Sequence, residues 1–262
     1  MGNNVNWKQP VKLDDIETNF NSLDEELKSL DGWDFIIVRG PAGIGKTYGS
    51  LEWAKVKSHD AFVQECSGDM GFFDLVGSWM FDGQAGAVYQ AGIVASAMMN
   101  AQNGKPTLLV MDEINLLPQT VLKDIGSIFD FRKAVETPIG RIYGNGNLKI
   151  VGTANSEQES AGFELDVALQ SRATIFTLDA KEMSKRLLKA GMVDELTAKL
   201  IAETDGIFSL REAQQVLALS PIYGPQKAMK IVVNKFTNDE RKKVVTNAVI
   251  AVLGEERGRK LI

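Results

Sequence analysis

The sequence predicts an α/β fold: a doubly wound parallel sheet followed by an all-helical C-terminal region. Short continuous apolar runs such as Phe35-Ile36-Ile37-Val38 and Leu108-Leu109-Val110-Met111 recur between helix-like stretches, as strands buried on both faces do. Strand and helix signals alternate up to about residue 178, the pattern of a parallel sheet covered on both sides. Beyond Asp179 strand signals cease, and leucine, alanine, lysine and glutamate dominate.

Taken in order, Leu13, Ile16, Phe20, Leu23, Leu27 and Leu30 form one apolar stripe at spacings of three and four, which predicts a packed N-terminal helix. Phe35–Val38 follows as a strand and Gly45 to about Val56 as a helix. Further strands are predicted at Ala61–Val63, Thr107–Met111, Leu148–Thr153 and Thr174–Leu178, with a helix from Pro118 to about Lys133. Helix-start signals at Ser209, Pro225 and Asn238 lie in the helical region. The expected division is a core over 1–179, including the N-terminal helix, and a helical lid over 180–262.

Composition narrows the class. With 262 residues, 44% hydrophobic and 24% charged, the chain has length enough for one large core or two unequal domains. The single cysteine, Cys66, excludes an internal disulfide framework, and one histidine, His59, beside it leaves too few ligands for a structural zinc site. The sequence lacks an apolar run of membrane-spanning length and a signal-peptide pattern, so no membrane association and a cytoplasmic location are expected. Net charge is −5, but it is unevenly spread, with residues 181–262 basic and the rest acidic. A basic tail suits nucleic acid, an acidic neighbour in an assembly, or plain solvation.

The chemistry is carried first by Gly40-Pro41-Ala42-Gly43-Ile44-Gly45-Lys46-Thr47, set between a buried strand and a helix. Backbone N–H groups and the positive helix end can cradle phosphate oxygens there, and Gly40, Gly43 and Gly45 permit the close approach. Lys46 would contact the β- and γ-phosphates of ATP, and Thr47 would ligate Mg²⁺. A second strand ends in Asp112-Glu113. Adjacent carboxylates at the end of a buried strand are costly unless a cation or a proton transfer uses them, so Asp112 fits a Mg²⁺ partner and Glu113 the base that polarises water. A third strand ends Gly152-Thr153-Ala154-Asn155, and Asn155 is the candidate to hold the water between Glu113 and the γ-phosphate; a loop-capping asparagine is the plainer alternative.

In order, GPAGIGKT, LLVMDEIN, KIVGTANS, ALQSRATIF and FSLREA resemble the AAA+ ATPases, in particular the MoxR-like and dynein-related branch with an insertion in the second core helix. The resemblance covers roughly residues 34–215 and extends to Phe73-Asp74-Leu75-Val76-Gly77. It implies a P-loop NTPase core with the Asn155 strand between the two phosphate-site strands, a helical lid, and nucleotide sites shared around a homo-oligomeric ring, usually a hexamer. By the same resemblance Arg172 looks like the arginine finger that reaches a neighbour's γ-phosphate, and Arg211 like the lid arginine that senses nucleotide. Arg211 has independent support, because Ser209 and Glu212 form a capping box that puts it in a helix's first turn, where a cation opposes the helix dipole unless an anion is near. Where relatives carry a Gly-Pro turn in the helix insertion, this chain runs Phe81-Asp82-Gly83-Gln84-Ala85-Gly86, so the insertion is expected to differ in shape.

Val135 to Asn147 predicts a β-hairpin with Asn145-Gly146 at its turn. Arg141 and Tyr143, two residues apart, would share a strand face and contact a peptide or a nucleic-acid strand, or simply decorate an exposed hairpin. Phe72, Phe73, Trp79 and Phe81 are expected to serve core and insertion packing. The resulting expectation is a Mg²⁺-dependent ATPase that remodels a protein or protein complex, with a protein substrate or adaptor such as a von Willebrand A domain partner. A nucleic-acid motor or loader and a nucleotide-gated assembly switch are the rival readings.

Overall fold

The structure, a computed structural model, describes residues 5–18, 23–83, 86–155, 164–189, 191 and 193–253. It divides into two compact units: Met1–Arg39 with Lys46–Phe176, and Gly40–Gly45 with Thr177–Ile262.

The first unit runs β1 (Val5–Asn6), α1 (Asp24–Leu27) continuing into a 3-10 turn, β2 (Phe35–Gly40), α2 (Lys46–Val56), β3 (Asp60–Glu65), α3 (Phe72–Val76), β4 (Gly77–Asp82), β5 (Gly86–Ala91) and α4 (Ile93–Gln102). It continues with β6 (Thr107–Asp112), α5 (Gln119–Asp124), β7 (Ala134–Thr137), β8 (Gly140–Tyr143), β9 (Leu148–Asn155), α6 (Val167–Gln170) and β10 (Thr174–Thr177). Five strands form a parallel sheet in the order β10-β2-β9-β6-β3. As expected, the Asn155 strand lies between the strand that leads into the phosphate-binding loop and the strand that ends in Asp112. Leu108, Leu109, Val110 and Met111 are fully buried, which is why this stretch reads as an unbroken apolar run rather than an alternation.

The β6–β9 register places Met111 opposite Gly152. The next residues, Asp112 and Thr153, therefore leave the sheet side by side. A Cβ at Gly152 would lie 3.1 Å from Ile114 and 3.2 Å from Ile37, so the missing side chain lets the turn after β6 close onto the sheet.

Several elements differ from expectation. The N-terminal helix is short: Leu23, Leu27 and Leu30 are fully buried along α1 and its 3-10 turn, whereas residues 11–18 are non-helical and Phe20 lies outside the described residues. The Val11 amide instead donates to the Ala61 carbonyl at 2.8 Å, and Asp14-Asp15 makes a turn, a role for which short acidic side chains compete well. The helix predicted over 118–133 ends at Asp124. Gly126 weakens its continuation, and the Asp130 carboxylate accepts the Arg132 amide at 3.0 Å, closing a turn. The β7–β8 hairpin is present, but its turn is Thr137-Pro138-Ile139-Gly140, with Gly140 at φ 116°. Asn145-Gly146 instead begins a 3-10 turn that leads into β9.

The interruption of the second core helix is itself a hairpin. β4 and β5 pair antiparallel between α3 and α4, and β1 adds parallel to β5. Its root is aromatic: Tyr89 is fully buried, its hydroxyl donates to the Val76 carbonyl at 2.6 Å, and Trp7 and Trp79 meet it edge-on. Phe72 packs against the core, but Phe73, Trp79 and Phe81 are exposed, Phe81 to 90%. The packing expectation holds for Phe72, for Phe73, whose ring meets Phe72 edge-on, and for Trp79, which meets Tyr89 across the ribbon; it is corrected for Phe81, which stands next to the tip of a two-stranded ribbon, beyond the buried root.

The second unit holds α7 (Ala180–Lys189), α8 (Glu195–Glu203), α9 (Leu210–Tyr223), α10 (Pro225–Asn234) and α11 (Asp239–Leu253). Its starts follow the sequence signals. Ser209 caps α9, Pro225 occupies the first turn of α10, and the Asn238 side chain accepts the Glu240 amide at 2.9 Å. The loop Gly40–Gly45 packs within this unit. A Cβ on Gly206 would run into Pro41, and one on Gly43 into the Ser209 side chain.

Candidate active site

At the carboxyl ends of β6 and β9 a hydrogen-bonded chain links the first unit's polar side chains. Thr47, in the first turn of α2, donates its hydroxyl to Asp112 Oδ1 at 2.6 Å. The Thr153 hydroxyl reaches the same oxygen and accepts the Glu113 amide at 3.0 Å. Asn155 Nδ2 donates to Glu113 Oε1 at 2.8 Å, while Lys46 Nζ donates to Asn155 Oδ1 at 3.2 Å. The amide of Asn155 has a unique orientation in this chain, since an ammonium needs the carbonyl oxygen and a carboxylate needs the N–H.

Glu113 stands at φ 56° and ψ 43°, in the left-handed region. For a residue other than glycine this costs about 1–2 kcal/mol, offset here by the bonds from its amide to Thr153 and from Asn155 to its carboxylate. The strained turn swings the Glu113 side chain off the strand axis toward Asn155. Lys46 is only 7% exposed, so its charge has little water around it and leans on the Asn155 carbonyl oxygen. Cys66 lies on the other side of Asp112, whose carbonyl accepts its amide at 2.8 Å. Burial first, and then the charges of Asp112, Glu113 and Glu65, push its thiol up to about 12, which leaves it protonated and unreactive.

In the second unit, the loop Gly40-Pro41-Ala42-Gly43-Ile44-Gly45 has Gly43 at φ 73° and Gly45 at φ 87°, the conformation that lets successive amides face one anion. Arg211 follows Ser209, the cap of α9, and its side chain is exposed. The cap is a full capping box. Glu212 Oε2 accepts the Ser209 amide at 2.9 Å and also meets the Ser209 hydroxyl, while Lys235 pairs with Oε1. Burial alone would raise the Glu212 carboxyl, but Lys235 and Ser209 outweigh it and hold it below the usual carboxylate range.

The remaining sequence-predicted residues lie apart from this chain of side chains. Arg172, just past α6, donates from Nη1 to the Ala168 carbonyl at 2.8 Å and lies 3.6 Å from Asp130. Arg141 and Tyr143 do share the exposed face of β8, the guanidinium 5.6 Å from the ring centroid. Sequence reasoning missed Thr153 as a site residue; a period-two reading of β9 puts it on the same face as Asn155.

The donor set suits a hard divalent cation. Thr47 and Asp112 supply two oxygens, and no cluster of three or more histidine, cysteine, aspartate or glutamate residues exists among the described residues. Mg²⁺ is commonly held in this way, with phosphate and water oxygens filling the rest of its octahedron.

A parallel sheet with a glycine loop after one strand, an acidic pair ending another and a polar amide on the strand between them defines a nucleoside-triphosphate-hydrolysing protein of the P-loop class. The AAA domain family, dynein-related subfamily, matches residues 35–173, more than half of the chain; the chain belongs to that family and is an ATPase. Among solved structures it is similar to Brucella abortus NtrX in complex with ADP, with a TM-score of 0.53 and 14% identity over 93% of this chain and 64% of that one. It is also similar to a point mutant of Thermotoga maritima RuvB, with a TM-score of 0.48 and 18% identity over 94% and 81% of the two chains. A third similar structure is a putative ATPase from Cytophaga hutchinsonii, with a TM-score of 0.48, 14% identity, and coverage of 89% and 82%. These likenesses are at the level of fold. No curated protein matches the sequence. Among the described residues no helix is long and apolar enough to cross a membrane.

Proposed function

We propose that the chain is a Mg²⁺-dependent, MoxR-like ATPase that works in a homo-oligomeric ring, of six copies by analogy with its family, to remodel a protein or protein complex. The observation that carries this reading is the unbroken chain Lys46–Asn155–Glu113, joined through the Glu113 backbone and Thr153 to Asp112 and Thr47.

In this mechanism the loop amides of residues 40–45 and Lys46 bind the phosphates of ATP, Lys46 exchanging its bond to Asn155 for the β- and γ-phosphate oxygens. Thr47 and Asp112 would hold Mg²⁺, which would neutralise charge on the phosphates when bound. Glu113 Oε1, kept in place by the Asn155 amide, takes a proton from the attacking water as it approaches the γ-phosphate. Asn155 orients that water. Arg211 donates to the phosphate held by the loop beside it, the anion that a cation in the first turn of a helix requires. Arg172 supplies charge to the site of a neighbouring copy. The partner is a protein substrate or adaptor, with a von Willebrand A domain as the family's usual companion, and the protein acts in the cytoplasm.

A nucleic-acid motor is the second reading, favoured by the exposed Arg141–Tyr143 pair on β8 and by the basic C-terminal region. The two are separated by measuring ATP turnover with single-stranded DNA, duplex DNA and a protein substrate across a salt series. Stimulation by a protein alone is expected. Stimulation by nucleic acid that falls steeply with salt, and that Arg141→Ala removes, would replace the remodeller reading with the motor.

A further inference from the structure

Arg172 is held before any partner arrives. Its amide donates to the Leu169 carbonyl at 3.0 Å, its carbonyl accepts the Trp33 indole N–H at 3.3 Å, and Nη1 donates to the Ala168 carbonyl at 2.8 Å. Nε faces the Asp130 carboxylate at 3.6 Å. The Asp130 carboxylate is itself fixed by Arg132, whose Nε lies 2.9 and 3.2 Å from its two oxygens and whose Nη2 lies 2.6 Å from one of them. Among the described residues Nη2 of Arg172 has no hydrogen bond. Thus Nε and Nη1 of the guanidinium are engaged and Nη2 is not.

The charges do not cancel. One carboxylate serves two guanidinium groups, and Asp130 is 16% exposed beside Arg172 at 31% and Arg132 at 47%. The Arg132 fork alone satisfies Asp130, so stability does not require a second arginine. A net positive cluster half-open to solvent, with Nη2 of one arginine left over, suits an incoming anion.

We infer that Asp130 is the positioning residue for Arg172: braced by Arg132, it presets the guanidinium so that Nη2 meets the γ-phosphate bound by a neighbouring copy of the chain. This rests on the reading of Arg172 as a group that acts in trans. A long, flexible side chain fixed in advance loses less freedom when the transition state forms, so Asp130 acts on turnover rather than on nucleotide binding.

The test is steady-state ATPase on the assembled protein for wild type, Asp130→Asn, Arg172→Ala and the double variant, with melting temperature and assembly checked alongside. Arg172→Ala is expected to abolish most turnover. Asp130→Asn should lower kcat about tenfold at unchanged KM for ATP, and the double variant should be no worse than Arg172→Ala. Mixing Asp130→Asn with Glu113→Gln protein should recover activity, because the defect travels with the arginine and not with the bound nucleotide. Asp130→Glu keeps the charge and should recover part of the rate; if Asp130→Asn fails to fold, Asp130→Glu is compared with wild type in the same way, with a milder fall expected. An inactive Arg172→Ala beside an Asp130 variant of full activity overturns the positioning role alone. Full activity in Arg172→Ala overturns the trans reading and this inference with it.

Discussion

Asn155 donates its amide to Glu113 at 2.8 Å and accepts Lys46 Nζ at 3.2 Å, so the cation and the base are coupled through one side chain before nucleotide binds. In the mechanism proposed above, ATP would draw Lys46 toward phosphate and free the Asn155 carbonyl oxygen for a water next to Glu113.

Lys46→Ala and Glu113→Gln should therefore separate binding from chemistry. Loss of a charge-assisted contact of about 3 kcal/mol predicts roughly a hundredfold weaker ATP binding for Lys46→Ala by calorimetry. Glu113→Gln should bind within about threefold of wild type and lose turnover at least a hundredfold. Equal binding losses would refute the roles given to both residues.

Thr153 touches Asp112 and braces the strained Glu113 turn through its amide. Thr153→Val leaves that amide without its acceptor, at a cost of about 1–3 kcal/mol. Turnover should fall roughly tenfold or more, and Thr153→Ser should restore most of it because the hydroxyl returns. A serine variant as slow as the valine would point to packing of the threonine methyl instead.

Arg211 stands in the first turn of α9 next to the loop that holds Gly43. Removing its charge should weaken ATP binding more than ADP binding, by up to about tenfold in the ratio, because the γ-phosphate is its added partner. An unchanged ratio for Arg211→Ala would make it an ordinary surface arginine.

Glu212 has a depressed folded-state pKa, so its contribution to stability is present above its unfolded pKa of about 4.3. That contribution is lost as pH falls through the lower folded value. Melting temperature measured from pH 6 down to pH 3 should drop less steeply in Glu212→Gln than in wild type. Parallel curves would show that the Lys235 pair adds nothing.

The sheet was legible because buried parallel strands are written as unbroken apolar runs, and the site because its glycines, lysine and carboxylates fall at the ends of those runs. Ser209 and Pro225 marked their helices by local backbone chemistry. What stayed hidden depended on distant partners. The helical stripe from Leu13 was lost to a hydrogen bond between Val11 and Ala61, and the β4–β5 ribbon was passed over although Asp82-Gly83 is a common hairpin signal. Thr153 was overlooked because a threonine in a strand reads as β-propensity, and only the register with β6 shows what its hydroxyl meets.

The β4–β5 hairpin leaves the second core helix through a neck closed by two glycines: a Cβ on Gly77 would run into the Gln90 carbonyl, and one on Gly92 into the Leu75 carbonyl. The Gly92 amide seals the neck on the Val76 carbonyl at 2.9 Å. This seal ties the end of α3 to the start of α4, so the ribbon and its tip around Phe81 branch from one fixed point of the chain. Changes of length or sequence at the tip are therefore expected to leave the sheet and its polar chain of side chains undisturbed, which makes the tip a natural place to insert a label or a tag.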